Sequence, residues 1–205
     1  MKIVSVTGSE NKRGKYTVLF DDEAEIKVSA IQIADFGLYS GREFEDEEYE
    51  DLLKSVALGA SKAKSLRILG KRTLSAGEVK KRLESKGVDA GTAGQTVEWL
   101  ENIGAINDTE YAAMIVRHYV PKGYGLARIK DELYKRGVPR DIWDEALQGA
   151  EGFEDAAQDY LMKKLRGSSG KDDLRRAADA LCRRGFSYSE ASDAVRRYLE
   201  YIEDE

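Results

Sequence analysis

Basic side chains are the residues of this sequence whose type and spacing are best suited to bind a partner. Between Lys62 and Lys86 the chain carries nine lysines and arginines but only two glutamates, although its formal net charge is −5. A dense group of cations attracts phosphates or an acidic protein surface. A solvated helix face explains any one of these residues equally well, but the density of the cluster favours a binding partner.

Side chains for catalysis or metal binding are scarce. His118 is the only histidine and Cys182 is the only cysteine. This argues against a zinc site or a Cys–His dyad within one chain. A Ser–His–Asp triad would have to use His118, and the sequence lacks the glycine pattern of a nucleophile elbow.

Two short segments bear a slight likeness to nucleotide-binding motifs. Residues 69–73 resemble a phosphate-binding loop, but the first glycine is missing and Arg72 stands where a hydroxyl residue should follow the lysine. Gly123 and Gly125 precede a predicted helix, but no predicted strand comes before them, as a dinucleotide site requires. We therefore predict a protein that is not an enzyme and has no cofactor and no metal site.

The composition indicates a helical protein of the cytoplasm. Charged residues make up 35% of the chain and only two prolines interrupt it, which suits small helical modules in which each helix keeps a wide solvated face. No apolar run approaches the roughly 18 residues needed to cross a bilayer, and the first residues lack the apolar segment of a signal peptide. A lone cysteine fits a reducing compartment. We expect a cytoplasmic monomer that does not associate with membranes.

Residues 1–55 differ from the rest of the chain. Three stretches rich in β-formers alternate apolar and polar residues, which predicts a small β meander: 2–7, 16–20 and 24–28. Residues 8–14 are predicted as a polar loop and residues 21–23 as a turn. A short helix is expected from Ser29 to Phe36, followed by an acidic segment that leads into a long helix.

A repeated pattern organises the remaining residues. Leu83, Leu133 and Leu181 recur at intervals of about 50 residues, and a repeat of this length is typical of stacked helical units. Each leucine lies in a helix that ends in one or two basic residues and a glycine, as helix C-termini prefer; these glycines are Gly87, Gly137 and Gly185. We predict a mainly α fold in which three tandem three-helix modules form an elongated arrangement after the meander, at 57–106, 108–149 and 153–203.

Start and stop signals support these helices. Ser75 with Glu78 and Ser187 with Glu190 have the spacing of capping boxes. Asp89 and Asp108 are further candidate N-caps, and Pro139 suits the first turn of a helix. Gly104 is a stop signal.

Most aromatic residues fall within helical apolar patterns and are predicted to be core residues. Three tyrosines lie near basic residues and could instead stack on bases or anchor a protein contact: Tyr119, Tyr124 and Tyr134.

The order of these motifs resembles the RecX family of regulatory proteins. The first repeat carries Arg72-Thr73-Leu74-Ser75-Ala76-Gly77-Glu78-Val79, followed by Leu83, Lys86-Gly87 and the segment Asp108-Thr109-Glu110-Tyr111-Ala112. The second carries Gly125, Arg128-Ile129, Glu132-Leu133 and Arg136-Gly137-Val138. The third repeat departs from the pattern at Gly167-Ser168-Ser169-Gly170. The resemblance extends over about residues 66–147 and more loosely to Tyr198.

The resemblance implies a partner and an activity. RecX proteins regulate RecA, the recombinase that polymerises on single-stranded DNA. A similar protein would bind in the groove of that filament and limit strand exchange, ATP hydrolysis and repressor cleavage, with single-stranded DNA as a further possible contact.

The basic cluster and its continuation into the second repeat supply the candidate contact residues: Arg67, Lys71, Arg72, Lys80, Arg82, Arg117, Lys122, Arg128 and Lys130. Two other interpretations stay open on the sequence alone. One is a helical nucleic-acid-binding protein that acts without a recombinase. The other is a helical scaffold that binds proteins through its acidic ends.

Overall fold

A computed structural model of the chain describes residues 1–8, 14–148 and 152–204. Most of the predicted 8–14 loop and the predicted end of the second module at residue 149 therefore lie outside the described residues. The chain divides into two compact units. Unit 1 comprises residues 1–72 and 80–100, and unit 2 comprises residues 73–79 and 101–205. Each unit is described by itself.

Unit 1 begins with the predicted meander. Strands β1 (Ile3–Gly8), β2 (Lys15–Phe20) and β3 (Glu25–Ser29) form one antiparallel sheet in the order β1-β2-β3. The turn predicted at residues 21–23 joins β2 to β3, with the Ala24 amide donating to Asp22 Oδ1 at 3.0 Å. Alternate residues of the strands face a buried core that includes Val18, Phe20 and Val28.

Helices cover this sheet and continue the unit. Helix α1 (Ala30–Phe36) begins at Ser29, which forms a capping box with Gln32. Helix α2 (Asp46–Leu69) is 24 residues long. Helix α3 (Ala76–Glu84) begins in unit 2 and ends in unit 1, and α4 (Ala90–Asn102) follows. Inside unit 1, the Thr96 hydroxyl donates to Ser61 Oγ at 2.7 Å and joins α4 to α2.

Unit 2 contains two sets of three helices, which follow the second and third repeats. Helices α5 (Asp108–Tyr119), α6 (Leu126–Lys135) and α7 (Trp143–Gln148) form the first set. Helices α8 (Phe153–Leu165), α9 (Lys171–Arg183) and α10 (Tyr188–Asp204) form the second. Short 3-10 turns at Val120–Lys122 and Arg140–Ile142 precede α6 and α7.

Each set in unit 2 has its own core. The repeated leucines Leu133 and Leu181 are fully buried, one in each core. Of the aromatic residues predicted to be core, Tyr111 and Tyr198 are also fully buried, whereas Trp143, Phe153 and Tyr160 are only partly buried. Burial of these apolar side chains stabilises the two sets, because each large side chain contributes about 1.5–3 kcal/mol.

The predicted helix ends are confirmed with two exceptions. Both capping boxes form, and Asp89 caps α4 by accepting from the Thr92 amide at 2.9 Å. The first exception is Pro139, which was predicted in a first helical turn but is the N-cap of the 3-10 turn Arg140–Ile142. The second is Asp108, which was predicted as the N-cap of α5. Asn107 takes that position by accepting from the Glu110 amide at 3.0 Å, and the carboxylate of Asp108 accepts from the Ala76 amide of α3 instead.

Two junctions between helix ends recur in unit 2. At the end of α9, the carbonyl oxygens of Arg184 and Gly185 accept hydrogen bonds from the amides of Gly125 and Ala127, at 2.9 and 3.1 Å. Helix α6 thus begins where α9 ends. At the end of α6, Arg136 and Gly137 also meet the start of another helix, α3, but there the Arg136 carbonyl accepts from the Ser75 hydroxyl rather than from a backbone amide.

Glycine makes both junctions possible. A Cβ atom on Gly77 would lie 2.5 Å from the carbonyl oxygen of Gly137, and one on Gly125 would overlap the backbone of Gly185. Gly137 and Gly185 also have φ values of 65° and 95°, in the left-handed region that favours glycine. The helix ends approach closely because neither side of the junction carries a side chain.

The predicted fold class is confirmed. The described residues are mainly helical, and a small three-stranded sheet precedes the helices. None of the described helices is long and apolar enough to span a membrane. The division into four ranges stays a prediction, and its border near residue 56 falls inside the continuous helix α2.

Candidate functional site

Unit 1 contains a cavity lined almost entirely by cations. Its volume is about 560 Å³, and Ile68 is the one apolar residue that lines it. The other lining residues are Lys64, Arg67, Lys71, Arg82 and Lys86. We call these five side chains the basic cluster.

Two helices position the basic cluster. Lys64 and Arg67 are three residues apart on α2, and Lys71 follows just after its last turn, so that the three share one face. Arg82 and Lys86 are four residues apart at the C-terminal end of α3. Ile68 is 8% exposed and provides an apolar floor between the charges.

The charges of the basic cluster are not neutralised within the described part of the chain. No described carboxylate lies within 4.0 Å of any of the five cations. Two of them donate to carbonyl oxygens instead: Lys64 Nζ to Lys86 at 3.2 Å and Arg67 Nε to Ala63 at 3.3 Å. Five neighbouring positive charges without counter-charges create a potential that attracts anionic groups.

The structure brings together some of the predicted contact residues and leaves others apart. Arg67, Lys71 and Arg82 meet at the cavity, as one cluster. Arg72 and Lys80 do not line it. Lys64 and Lys86 were not among the predicted contacts, although the helical spacing of Lys64 from Arg67 and of Lys86 from Arg82 is visible in the sequence.

The four candidates of unit 2 have separate surroundings. Arg117 pairs with Glu110 at 2.6 Å, and Lys122 Nζ lies 2.6 Å from His118 Nε2. Arg128 and Lys130 are half-buried on α6. No described contact joins these four side chains to one another, so their role as contact residues stays a prediction.

Of the three tyrosines that lie near basic residues in the sequence, Tyr119 and Tyr124 pack against other side chains inside unit 2. The Arg184 guanidinium lies between the rings of Tyr124 and Tyr160, 4.4 and 4.5 Å from their centroids. Its Nε also donates to the Gly123 carbonyl at 2.7 Å. Tyr119 packs against Tyr124 with ring centroids 5.3 Å apart. Tyr134 alone of the three is largely exposed, at 65%.

A polar network around Tyr111 joins the helices α3, α5 and α6 inside unit 2. Tyr111 lies on α5, and its hydroxyl bonds with Glu78 of α3 and with Arg136 at the end of α6. Arg136 donates to Glu132 through Nε, at 2.7 Å. Burial by itself would lower the pKa of Arg136, but its hydrogen bonds with Tyr111 and Glu132 outweigh burial and raise the pKa further. Burial acts to raise the pKa of Glu132, but the hydrogen bonds and positive charges of its neighbours, Arg136 foremost, together outweigh burial and lower the pKa. Both groups therefore stay charged, which suits a structural ion pair.

The described residues contain no group of three histidine, cysteine, aspartate or glutamate side chains that could hold a metal ion. The chemistry that the described geometry supports is the binding of anionic groups at the basic cluster.

Comparison with known proteins places the chain in a family. A family model described as the second three-helix domain of RecX matches residues 107–147, which contain α5, α6 and α7. Regulatory protein RecX of Xanthomonas axonopodis pv. citri is 33% identical over 141 residues, covering 67% of this chain and 86% of the relative. The chain belongs to the RecX family.

Other RecX proteins extend the similarity along the chain. Regulatory protein RecX of Streptococcus gordonii is 26% identical over 206 residues, covering 98% of this chain and 80% of the relative. A crystal structure of a regulatory protein RecX has the same fold, with a TM-score of 0.76 and 20% identity over 100% of this chain and 99% of that one. RecX from Lactobacillus salivarius aligns with 70% of this chain and 97% of its own, with a TM-score of 0.61 and 20% identity.

Proposed function

We propose that this RecX-family regulatory protein binds the filament that a RecA-type recombinase forms on single-stranded DNA. It lies in the filament groove and limits strand exchange, ATP hydrolysis and repressor cleavage. The basic cluster is the observation in this chain that carries the proposal, because its five unneutralised cations suit an acidic filament surface or the DNA phosphates within it.

The shape of the cluster supports a macromolecular partner. A cavity of about 560 Å³ with charged walls and one buried isoleucine at its floor differs from the mostly apolar pockets that hold small molecules. Cations spread over two helices can instead meet several anionic groups of one extended surface.

The test is ATP hydrolysis by RecA on single-stranded DNA with this protein added in increasing amounts. We expect inhibition well below one regulator per recombinase protomer. The double variant R67E/K71E should lose most of this inhibition, because reversing two charges places like charges opposite the partner, which costs several kcal/mol. Unchanged circular dichroism would show that the helices persist.

The matched control is K54E/K163E, which changes the net charge by the same amount at two largely exposed lysines outside the cavity. It should inhibit like the unaltered protein. Full inhibition by R67E/K71E, or no inhibition by the unaltered protein at saturation, contradicts the proposal.

Direct nucleic-acid binding without a recombinase is the alternative function that the same basic cluster favours. It predicts tight binding to single-stranded DNA alone, with an affinity that falls steeply as salt rises. Such binding, together with unaffected ATP hydrolysis by RecA, would favour direct nucleic-acid binding over binding to the recombinase filament.

A further inference from the structure

The two junctions of unit 2 define a specific way for one helix to begin where another ends. In each, a helix ends in arginine and glycine, whose backbone receives the first turn of a second helix. The glycine pair of each junction allows an approach that a Cβ atom would prevent. In the α9–α6 junction, head-to-tail contact also places N–H groups of one helix end on the free carbonyls of the other.

The first repeat has the same helix end without such a partner. Lys86 and Gly87 after α3 correspond to Arg136–Gly137 and Arg184–Gly185. Gly87 has a left-handed φ of 79°, like its counterparts, but no described heavy atom lies within 4 Å of a Cβ built on it. The Lys86 carbonyl accepts a hydrogen bond from Lys64 Nζ. At the ends of α6 and α9 the corresponding carbonyl accepts instead from a group of the second helix, the Ser75 hydroxyl or the Gly125 amide.

A matching helix start is present in unit 2. The starts of α3 and α6 fill the two junctions, and α9 begins like α6, with a glycine N-cap and no hydrogen bond from a capping side chain. A Cβ on Gly170 would meet only the side chains of Ser168 and Asp173, which belong to its own segment. The first turn of α9 also carries two carboxylates, Asp172 and Asp173.

We propose that two copies of this chain bind head to tail, with the start of α9 in one copy docking on the end of α3 in the other. The first amides of α9 donate to the carbonyls of Lys86 and Gly87, and Gly170 faces Gly87 as Gly125 faces Gly185. Charge supports this pairing, because Arg82 and Lys86 stand at the accepting end and Asp172 at the docking end. The neighbouring Asp173 already pairs with Arg176 and accepts from Ser168.

The small size of the contact determines the protein concentration at which it is occupied. A junction of two helix ends buries far less than the roughly 1,000 Å² that a stable interface needs, so the chain stays monomeric when dilute. Copies held side by side on a polymer meet at a high effective concentration, at which a weak contact becomes occupied. The contact joins two different surfaces and can therefore continue from copy to copy. Arg82 and Lys86 also belong to the basic cluster, so in a docked copy Lys64, Arg67 and Lys71 remain to face the polymer.

Disulfide trapping between copies tests the contact without any other partner. In the internal junction the Gly125 amide donates to the Arg184 carbonyl at 2.9 Å, so the backbone at residue 184 adjoins the backbone at residues 124–125. Lys86 and Ser169 hold the counterpart positions, so K86C and S169C are placed on separate chains, both with C182A. One chain carries a heavy isotope label. On mixing at high protein concentration, where the weak contact is partly occupied, we expect the mixed disulfide to form on the order of tenfold faster than a control pair, because docking raises the effective concentration of the two thiols.

The control pair is K54C with S169C, since Lys54 is 72% exposed and lies outside both helix ends. A further variant, S169C with D172K, places a cation against Arg82 and should remove the excess. An excess over the control that D172K lowers supports the head-to-tail contact. Equal rates for the two pairs, or an excess that D172K leaves unchanged, overturn it.

Discussion

Arg136 Nη1 donates a hydrogen bond to the phenolic oxygen of Tyr111 at 2.8 Å, and the same hydroxyl donates to Glu78 Oε2 at 2.9 Å. One phenol therefore links the end of α6 to the start of α3. Because Tyr111 is only 2% exposed, water does not readily replace either bond.

Replacing Tyr111 by phenylalanine should destabilise unit 2. Y111F keeps the ring in the core but removes the hydroxyl, so that Arg136 and Glu78 each lose a hydrogen bond in a partly buried place. We expect the free energy of unfolding to fall by about 1–3 kcal/mol in urea denaturation. Y134F is the control, since Tyr134 is 65% exposed and should leave stability unchanged. Equal stability of Y111F and the unaltered protein would contradict the structural role of the network.

At the glycine junction between α9 and α6, adding a single methyl group to Gly125 should lower the free energy of unfolding. The Cβ of G125A would overlap the backbone at Gly185, and helix ends cannot move apart without breaking two hydrogen bonds. We expect a loss of about 1–3 kcal/mol in the free energy of unfolding.

G94A is the matched control for this methyl group. Gly94 lies inside α4, and nothing described lies within 4 Å of its Cβ position. Because alanine favours helix over glycine, G94A should gain up to about 1 kcal/mol. If both variants change stability in the same direction, close packing at the junction is not the cause.

Asp108 predicts an unusual dependence of stability on pH. Burial raises its pKa from the ordinary 3.8, and no described donor reaches its buried Oδ2. The folded state therefore holds the proton more tightly than the unfolded state, so the ionised carboxylate is unfavourable at neutral pH and the penalty disappears as pH falls through the raised pKa. D108N should be more stable than the unaltered protein near pH 7, and this advantage should shrink toward about pH 4.

Asp89 provides the control of opposite sign. Its bond from the Thr92 amide lowers its pKa, so its charge stabilises the folded state above the ordinary value and this contribution is lost on acidification. D89N should therefore not gain stability at neutral pH. Parallel pH profiles for D108N and D89N in urea titrations would show that burial of Asp108 is not responsible.

The geometry of the basic cluster divides the predicted contacts into two classes. Arg67 and Lys71 line the cavity, whereas Lys80 does not, and Lys81 next to it is exposed. K80E/K81E should therefore reduce the inhibition of RecA-dependent ATP hydrolysis by a smaller factor than R67E/K71E, although both change the charge by the same amount. If the two variants are equally defective, net charge rather than the cavity governs binding.

Local signals in the sequence predicted the elements well. The capping boxes at Ser75 and Ser187 and the glycines after the repeated leucines depend on groups a few residues apart, so their pattern is visible in one segment. Asp108 shows the limit of such signals. Both it and Asn107 can cap a helix, and only the position of Ala76, 32 residues earlier in the chain, decides between them.

Contacts across long separations were not predictable. Arg136 and Arg184 were interpreted as cations at helix ends, but their guanidinium groups reach Tyr111 and Gly123, which are 25 and 61 residues away. The basic cluster was only partly predicted for the same reason. Its α2 and α3 members meet at the cavity, where Lys64 Nζ donates to the Lys86 carbonyl, and sequence density alone did not separate Lys80 from Lys86.

The glycine junctions have a consequence for how this sequence can change over time. In the α9–α6 junction the two hydrogen bonds join main-chain atoms, which every amino acid except proline supplies. The further strict demand is the absence of a side chain at Gly125 and Gly185. Exposed residues nearby can change while the helices keep the same relative placement. A deep mutational scan for folding should therefore find sharp intolerance at Gly125 and Gly185, surrounded by broad tolerance on the exposed faces of α6 and α9.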